Sequence, residues 1–148
     1  MTHLMISTRF NAPVDKVFAT CTDFANLPER IEGIQSVEML SDGPVGVGTR
    51  FRETRIMFKR EATEEMEVSA FERNHSYTLA CDSCGCAYEF THRFKPDGDA
   101  TVLEMEMQTR PISFFAKLMS PLGNLMMGTM KKCIVKDMDD LRSSIETA

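Results

Sequence analysis

Three cysteines fall within six residues in the stretch CDSCGCAYEF, residues 81–90. Cys81 and Cys84 have the C-x-x-C spacing used by zinc knuckles and by dithiol redox pairs, and Cys86 follows two positions later. A tetrahedral structural zinc needs a fourth ligand, usually from a second Cys or His knuckle. No second C-x-x-C exists: Cys21 and Cys133 stand alone, and His75 is a remote candidate. A disulfide between facing strands is geometrically restrictive. The reading the sequence favours is a set of small, soft side chains lining an apolar space in a reducing cell. It calls for no metal and no cofactor.

Ionisable groups lie on the neighbouring segments. A turn at Phe58-Lys59 sets Glu53 opposite Glu64 and Arg55 opposite Ala62. Two facing carboxylates beside one arginine can share a proton or anchor the polar head of a ligand. A one-residue slip of register turns all three into solvent. The alternative inner face of that strand, Arg52, Thr54, Ile56 and Phe58, serves about as well. The basic positions Arg50, Arg52, Arg55, Lys59 and Arg60, interleaved with Glu53 and Glu61, then read as a solvated strand edge. His92 as a general base needs a partner to fix its tautomer and a substrate within hydrogen-bond reach; a lone histidine on an apolar face is more often a core residue. The weak catalytic candidates are thus His92, Tyr88, Glu53, Glu64 and Arg55. GNLMMGTM has the glycines of a phosphate loop but Thr129 and Met130 where lysine and a hydroxyl residue belong.

These groups need elements to hold them. Residues 3–10 alternate, with Leu4, Ile6, Thr8 and Phe10 on one face of a strand. Pro13 can open a helix with Val14, Val17 and Phe18 as its apolar stripe. DFANLPERI reads as a second short helix with Asp23 as N-cap. IQSVEML is a strand and SDGPVGVG a turn. From 49 to 109 the pattern is an antiparallel meander: TRFRETRIM, REATEEMEVSAF, SYTLACD, CAYEFTHRF and TVLEMEMQT. After Pro111 the period changes. Ser120 and Pro121 look like a helix start, and Leu122, Met126, Met130, Ile134, Met138, Leu141 and Ile145 recur at helical spacing. Lys131, Lys132, Lys136, Asp139, Asp140 and Arg142 fill the other face of that helix.

Alternation assigns an inner face. Tyr88, Phe90, His92 and Phe94 share it. Pairing across KPDGDA sets Phe94 near Thr101, His92 near Leu103, Phe90 near Met105 and Tyr88 near Met107. A turn at Asp82–Gly85 sets Cys81 opposite Cys86, Leu79 opposite Tyr88 and Tyr77 opposite Phe90. Both pairings agree on the apolar side, so Cys81 and Cys86 point inward and Cys84 lies in the turn. Phe51 from the third strand and Met126, Met130 and Ile134 from the long helix complete the expected lining.

Composition bounds the rest. The chain has 148 residues, 43% hydrophobic and 26% charged, which fits one soluble domain over 1–148. The net charge of −5 speaks against a nucleic-acid partner. No apolar run reaches membrane-spanning length. MTHLMISTRFN has no basic segment followed by an apolar stretch, so a cytoplasmic setting without stable membrane insertion is expected. Twelve methionines and no tryptophan suit an adaptable apolar surface.

One strand, two short helices, a long meander and one closing helix make an α+β chain in which only the long helix can cover the sheet. That order resembles the helix-grip fold of the START and birch-pollen-allergen-like (SRPBCC) superfamily, and within it the polyketide cyclase/dehydrase and lipid-transport group. FNAPVDKVFATCTDFANLPERIEGIQSVEML resembles the group's opening strand, helix pair and second strand. GVGTRFRET resembles its glycine-led third strand, and LGNLMMGTMKKCIVKDMDDLRSSIE its closing helix. The resemblance implies a curved antiparallel sheet wrapped around the helix, with an apolar cavity between them. It carries no shared catalytic residue.

Three functions follow: a binder of a hydrophobic small molecule or lipid, a polyketide cyclase/dehydratase-like enzyme, or a module presenting a lipid or quinone to a protein partner. The third expects an exposed apolar patch near Phe114, Phe115, Leu118 and Met119.

Overall fold

The computed structural model describes residues 2–57, 59–83, 85–114, 117 and 127–146. Strand β1 (Thr2–Phe10) leads into helix α1 (Val14–Thr22), a 3-10 turn (Phe24–Asn26) and the short helix α2 (Leu27–Arg30). Strands β2 (Ile34–Met39), β3 (Arg50–Met57), β4 (Arg60–Glu72), β5 (Ser76–Ser83), β6 (Cys86–Asp97) and β7 (Ala100–Pro111) follow, and helix α3 (Met127–Glu146) ends the described chain. The strands form one antiparallel sheet in the order β1-β7-β6-β5-β4-β3-β2. With α3 packed on one face, this is the α+β helix-grip arrangement. The expected helix start at Ser120–Pro121, and Met126, lie outside the described residues.

Two bulges help the sheet curve. Ser69 is extra between the Val68–Leu79 and Ala70–Thr78 pairs, and Gln35 is extra between Ile34–Arg55 and Ser36–Thr54. An extra residue bends its strand and reverses the alternation beyond it. Phe71 therefore joins Val68 on the inner face, where strict alternation would have turned it out.

Phe18 is the hub of the core. Its ring meets Phe71, Tyr77 and Phe94 edge-on at centroid distances of 5.4, 6.0 and 5.1 Å. Phe24 stacks on Phe51 at 4.5 Å. Edge-to-face and offset pairs of this kind add to the area they bury. Met138, Leu141 and Ile145 bring α3 onto the same cluster.

The structure corrects several local expectations. Pro13 opens the first helix as expected, but as its extended N-cap residue, with the helix itself beginning at Val14. Asp23 makes no backbone cap, because its carboxylate accepts hydrogen bonds from Asn26 and Arg30 instead. β3 is not an edge, since β2 lies beyond it. Of the five basic residues read as a solvated edge, Arg55 points inward.

Two hairpin registers also move. His92 pairs with Met105, Phe90 with Met107, Tyr88 with Thr109 and Phe94 with Leu103. Cys86 lies opposite Ser83, not Cys81; Cys81 pairs with Tyr88, Leu79 with Phe90 and Tyr77 with His92. Each turn is centred one residue later than expected, where Gly98 and Gly85 supply the positive φ that a two-residue loop demands. Moving a turn by one residue shifts register by two, which preserves the face.

Leu103, 1% exposed, and Val102 beside it on the outer face test that assignment. Leu103→Ala is expected to lower the unfolding free energy by about 2–5 kcal/mol, read from urea denaturation. Val102→Ala is expected to lower it by less than about 1 kcal/mol.

Candidate functional site

The inner face divides along the strands. Toward the β6–β7 turn it is solid: Phe10, Phe18, Phe94 and Leu103 are buried, and the C-terminal half of α3 closes over them. Toward the β3–β4 and β5–β6 turns it is looser. Met66, Cys86, Tyr88 and Phe90 on the sheet, and Met130 and Ile134 on α3, are only half-buried. Tyr88 and Phe90 stand parallel with centroids 6.1 Å apart. Among the expected lining residues, Phe51, Tyr77, Leu79, Cys81, Leu103, Met105 and Met107 are packed into the core. The half-buried set is the part of that lining which keeps some of its surface exposed. Two clefts of about 290 Å³ are open at the surface, one at Arg9, Asn11 and Asp97 and one between Arg50, Glu65 and Asp82; the second also touches Met66 and Cys81 of the inner lining.

A charged cluster borders this looser half. Glu53 lies directly opposite Glu64, and Arg55 opposite Ala62. The face is settled by Phe51, which is wholly buried against Phe24 two residues before Glu53. Arg55 Nε donates to Glu53 Oε1 at 2.8 Å, and Nη1 donates to Asp137 Oδ2 of α3 at 2.9 Å. Glu53 is buried, while Arg55 and Asp137 keep 17% and 15% of their side-chain exposure. Burial works against the Arg55 charge, but the two carboxylates outweigh it and hold its pKa above the ordinary guanidinium value. Burial pushes the Asp137 carboxyl up, and Arg55 offsets only part of that rise.

Asp137 was missed by the sequence reading, which named it neither in the apolar stripe of α3 nor on its charged face. Its signal was present: it lies three residues after Ile134 and four before Leu141, inside the apolar stripe.

Cys81 donates its thiol to Glu64 Oε2 at 3.8 Å. Burial first, and then the negative field of Glu64, push that thiol up to about 12. It is a thiol at neutral pH, which opposes nucleophilic, redox and metal-ligating roles, since all three use the thiolate. Cys21, Cys81, Cys86 and Cys133 are free, and among the described residues no three His, Cys, Asp or Glu side chains gather to hold a metal.

His92 stands apart from the charged cluster. It stacks on Tyr77 at 4.4 Å, and its buried Nδ1 has no hydrogen-bond partner among the described residues. Burial lowers its pKa from 6.5 to about 4 despite a hydrogen bond to the Phe90 backbone. The structure thus brings Glu53, Glu64 and Arg55 together, adds Asp137 and Cys81, places Tyr88 beside Phe90, and leaves His92 in the aromatic core.

Two outcomes test this arrangement. Arg55→Met leaves Glu53 and Asp137 without their counter-charge and is expected to destabilise by about 3–5 kcal/mol at neutral pH. The deficit should shrink on acidification: the Asp137 carboxyl, whose native pKa burial raises, binds its proton more tightly when folded, so stability rises as pH falls. His92 has the opposite sign. Its native pKa is depressed, so its contribution is intact above 6.5 and is lost as pH falls toward about 4. His92→Phe should remove about 3 kcal/mol of acid destabilisation, read from urea midpoints across that range.

Comparison with known proteins places the fold. Ara h 8.0201 superposes with a TM-score of 0.79 at 14% identity, covering 99% of both chains. A START superfamily protein from Mycobacterium smegmatis gives 0.76 at 14% identity, covering 98% of this chain and 97% of that one. The di-domain ARO/CYC StfQ of the steffimycin biosynthetic pathway gives 0.80 at 13% identity, covering 98% of this chain and 50% of StfQ. At such identities the likeness shows the fold alone. A search of the curated proteins found no match. A family model covers residues 1–146, and the chain belongs to the family described as polyketide cyclase/dehydrase and lipid transport.

Proposed function

We propose that the chain, acting as one domain in the cytoplasm, binds a hydrophobic small molecule or lipid between the looser half of the sheet and α3. The observation that carries this is the half-buried state of Tyr88, Phe90, Met130 and Ile134 on a face whose other half is packed solid. An apolar body rests against these side chains, and the Glu53–Arg55–Asp137 cluster gives a polar head something to meet. A mostly apolar site with a few placed polar groups is the usual composition of small-molecule pockets. The family's description as a lipid-transport group agrees with it.

A second reading has its own support. Glu53, Glu64 and Arg55 converge at the border of the apolar face, as a cyclase or dehydratase would need for holding a reactive chain and moving a proton. His92 falls outside that group, which removes the imidazole from it.

Native mass spectrometry of freshly purified, reduced protein tests the first reading against the denatured mass. An extra mass of a few hundred daltons is expected, together with displacement of an anilinonaphthalene sulfonate probe by the extracted molecule. Phe90→Asp should lose both while keeping the far-ultraviolet circular dichroism of the parent. A bare chain that takes up no probe would overturn the reading. Conversion of the extracted molecule on incubation, lost in Glu64→Gln, would establish the enzyme instead.

A further inference from the structure

The looser end of the molecule also differs from the rest in surface charge. Elsewhere most arginines and lysines are engaged: Arg9, Arg30, Arg50, Arg52, Arg93, Lys95, Lys136 and Arg142 each pair with a carboxylate, as Arg55 does inside. Six basic side chains with no ion pair among the described residues collect at one end. Lys59 and Arg60 sit at the β3–β4 turn, Arg110 near the end of β7, Lys117 just beyond it, and Lys131 and Lys132 in the opening turns of α3. All six are exposed. Elsewhere among the described residues, Lys16 and Arg73 are the basic side chains without an ion pair.

These positions share an end by topology. The β3–β4 and β5–β6 turns and the C-terminus of β7 lie on the same side of the sheet. Ile112 and Ser113 donate backbone hydrogen bonds to the Gly85 carbonyl at 2.8 and 3.1 Å, tying the residues after β7 to the β5–β6 turn. At the far end of α3, Glu146 accepts from the Asn11 backbone beside the β6–β7 hairpin. From there α3 runs back past Arg55, and Met127 lies ten residues, roughly 15 Å, beyond Asp137.

Apolar side chains stand within this basic end. Phe114 is 84% exposed and Ile112 45%. Glu61 and Asp82 are exposed acidic residues beside this end, with Glu89 further along β6 and Glu32, which pairs with Lys136, near the end of β3, in a chain whose net charge is −5. Exposed apolar tips surrounded by unpaired lysine and arginine are the composition that anionic bilayers attract: the cations meet lipid phosphates, and the apolar groups enter the headgroup layer.

We propose that this end docks reversibly on an anionic lipid surface, with Phe114 and Ile112 as the inserting side chains and Lys59, Arg60, Arg110, Lys117, Lys131 and Lys132 as the charged collar. Docking requires no molecule in the candidate site, so its failure leaves the ligand reading standing, and the reverse holds too.

Co-sedimentation compares phosphatidylcholine vesicles with vesicles containing one-third phosphatidylserine. Binding is expected to the second alone and to weaken with added salt. Lys131→Ala with Lys132→Ala should reduce partitioning by roughly tenfold or more, and Phe114→Ser by about tenfold. Lys16→Ala with Arg73→Ala should leave it unchanged, and all variants should keep the parent Tm. Equal binding to both vesicles, no binding to either, or an equal loss in the Lys16 and Arg73 variant would overturn the proposal. Lys131-dependent retention on immobilised polyglutamate without vesicle binding would also overturn it, and would identify an acidic protein as the partner.

Discussion

The bridge from Arg55 to Glu53 and Asp137 is the constraint on which the open half of the molecule depends. Removing an ion pair from water is expensive, and the attraction between the partners repays it only when geometry is good and the remaining lone pairs are met. Arg55 meets the first condition by donating from two different nitrogens to carboxylates on two different elements. The consequence is positional. α3 reaches β3 through a directional contact at Asp137, while its C-terminal half is held by the non-directional packing of Met138, Leu141 and Ile145. The helix is thereby fixed where its apolar stripe is only half-buried, and this end stays defined without being filled.

The closed half is built differently. The Ser69 bulge brings Phe71 round to the inner face, so Phe18 meets rings from β4, β5 and β6 together. Dense aromatic packing there leaves no reason for charge, and the polar groups present are neutral. His92 is held in its uncharged form against Tyr77. The Thr101 hydroxyl is buried but donates to the Ala12 carbonyl at 2.9 Å. Charge on the inner face is concentrated where side chains still reach water.

The sequence made the faces legible and the pairings less so, for one reason. Side-chain alternation has a period of two, so an error of one residue in a turn centre displaces partners by two and leaves inside and outside unchanged. Tyr88, Phe90, His92 and Phe94 were therefore assigned to the correct face with the wrong neighbours. The β3–β4 hairpin escaped even that error, because Lys59 takes the positive φ at the expected turn. Asp137 shows a different limit. Its place in the stripe was readable from spacing, but an aspartate there has no apolar reason to face inward. Only Arg55, 82 positions away in sequence, supplies the reason.

The same logic decides between the readings of Cys81. Its C-x-x-C spacing describes reach along a chain, while reactivity depends on the surrounding field. A cysteine becomes a ligand or a nucleophile where positive charge favours the thiolate. Among the described residues the buried cation nearby, Arg55, is already shared between Glu53 and Asp137, and Glu64 accepts a hydrogen bond from the Cys81 thiol, which keeps its proton. Arg55 cannot serve Cys81 without releasing the contact that positions α3. The arrangement that holds the helix over the site is thus also the one that keeps the thiol inert.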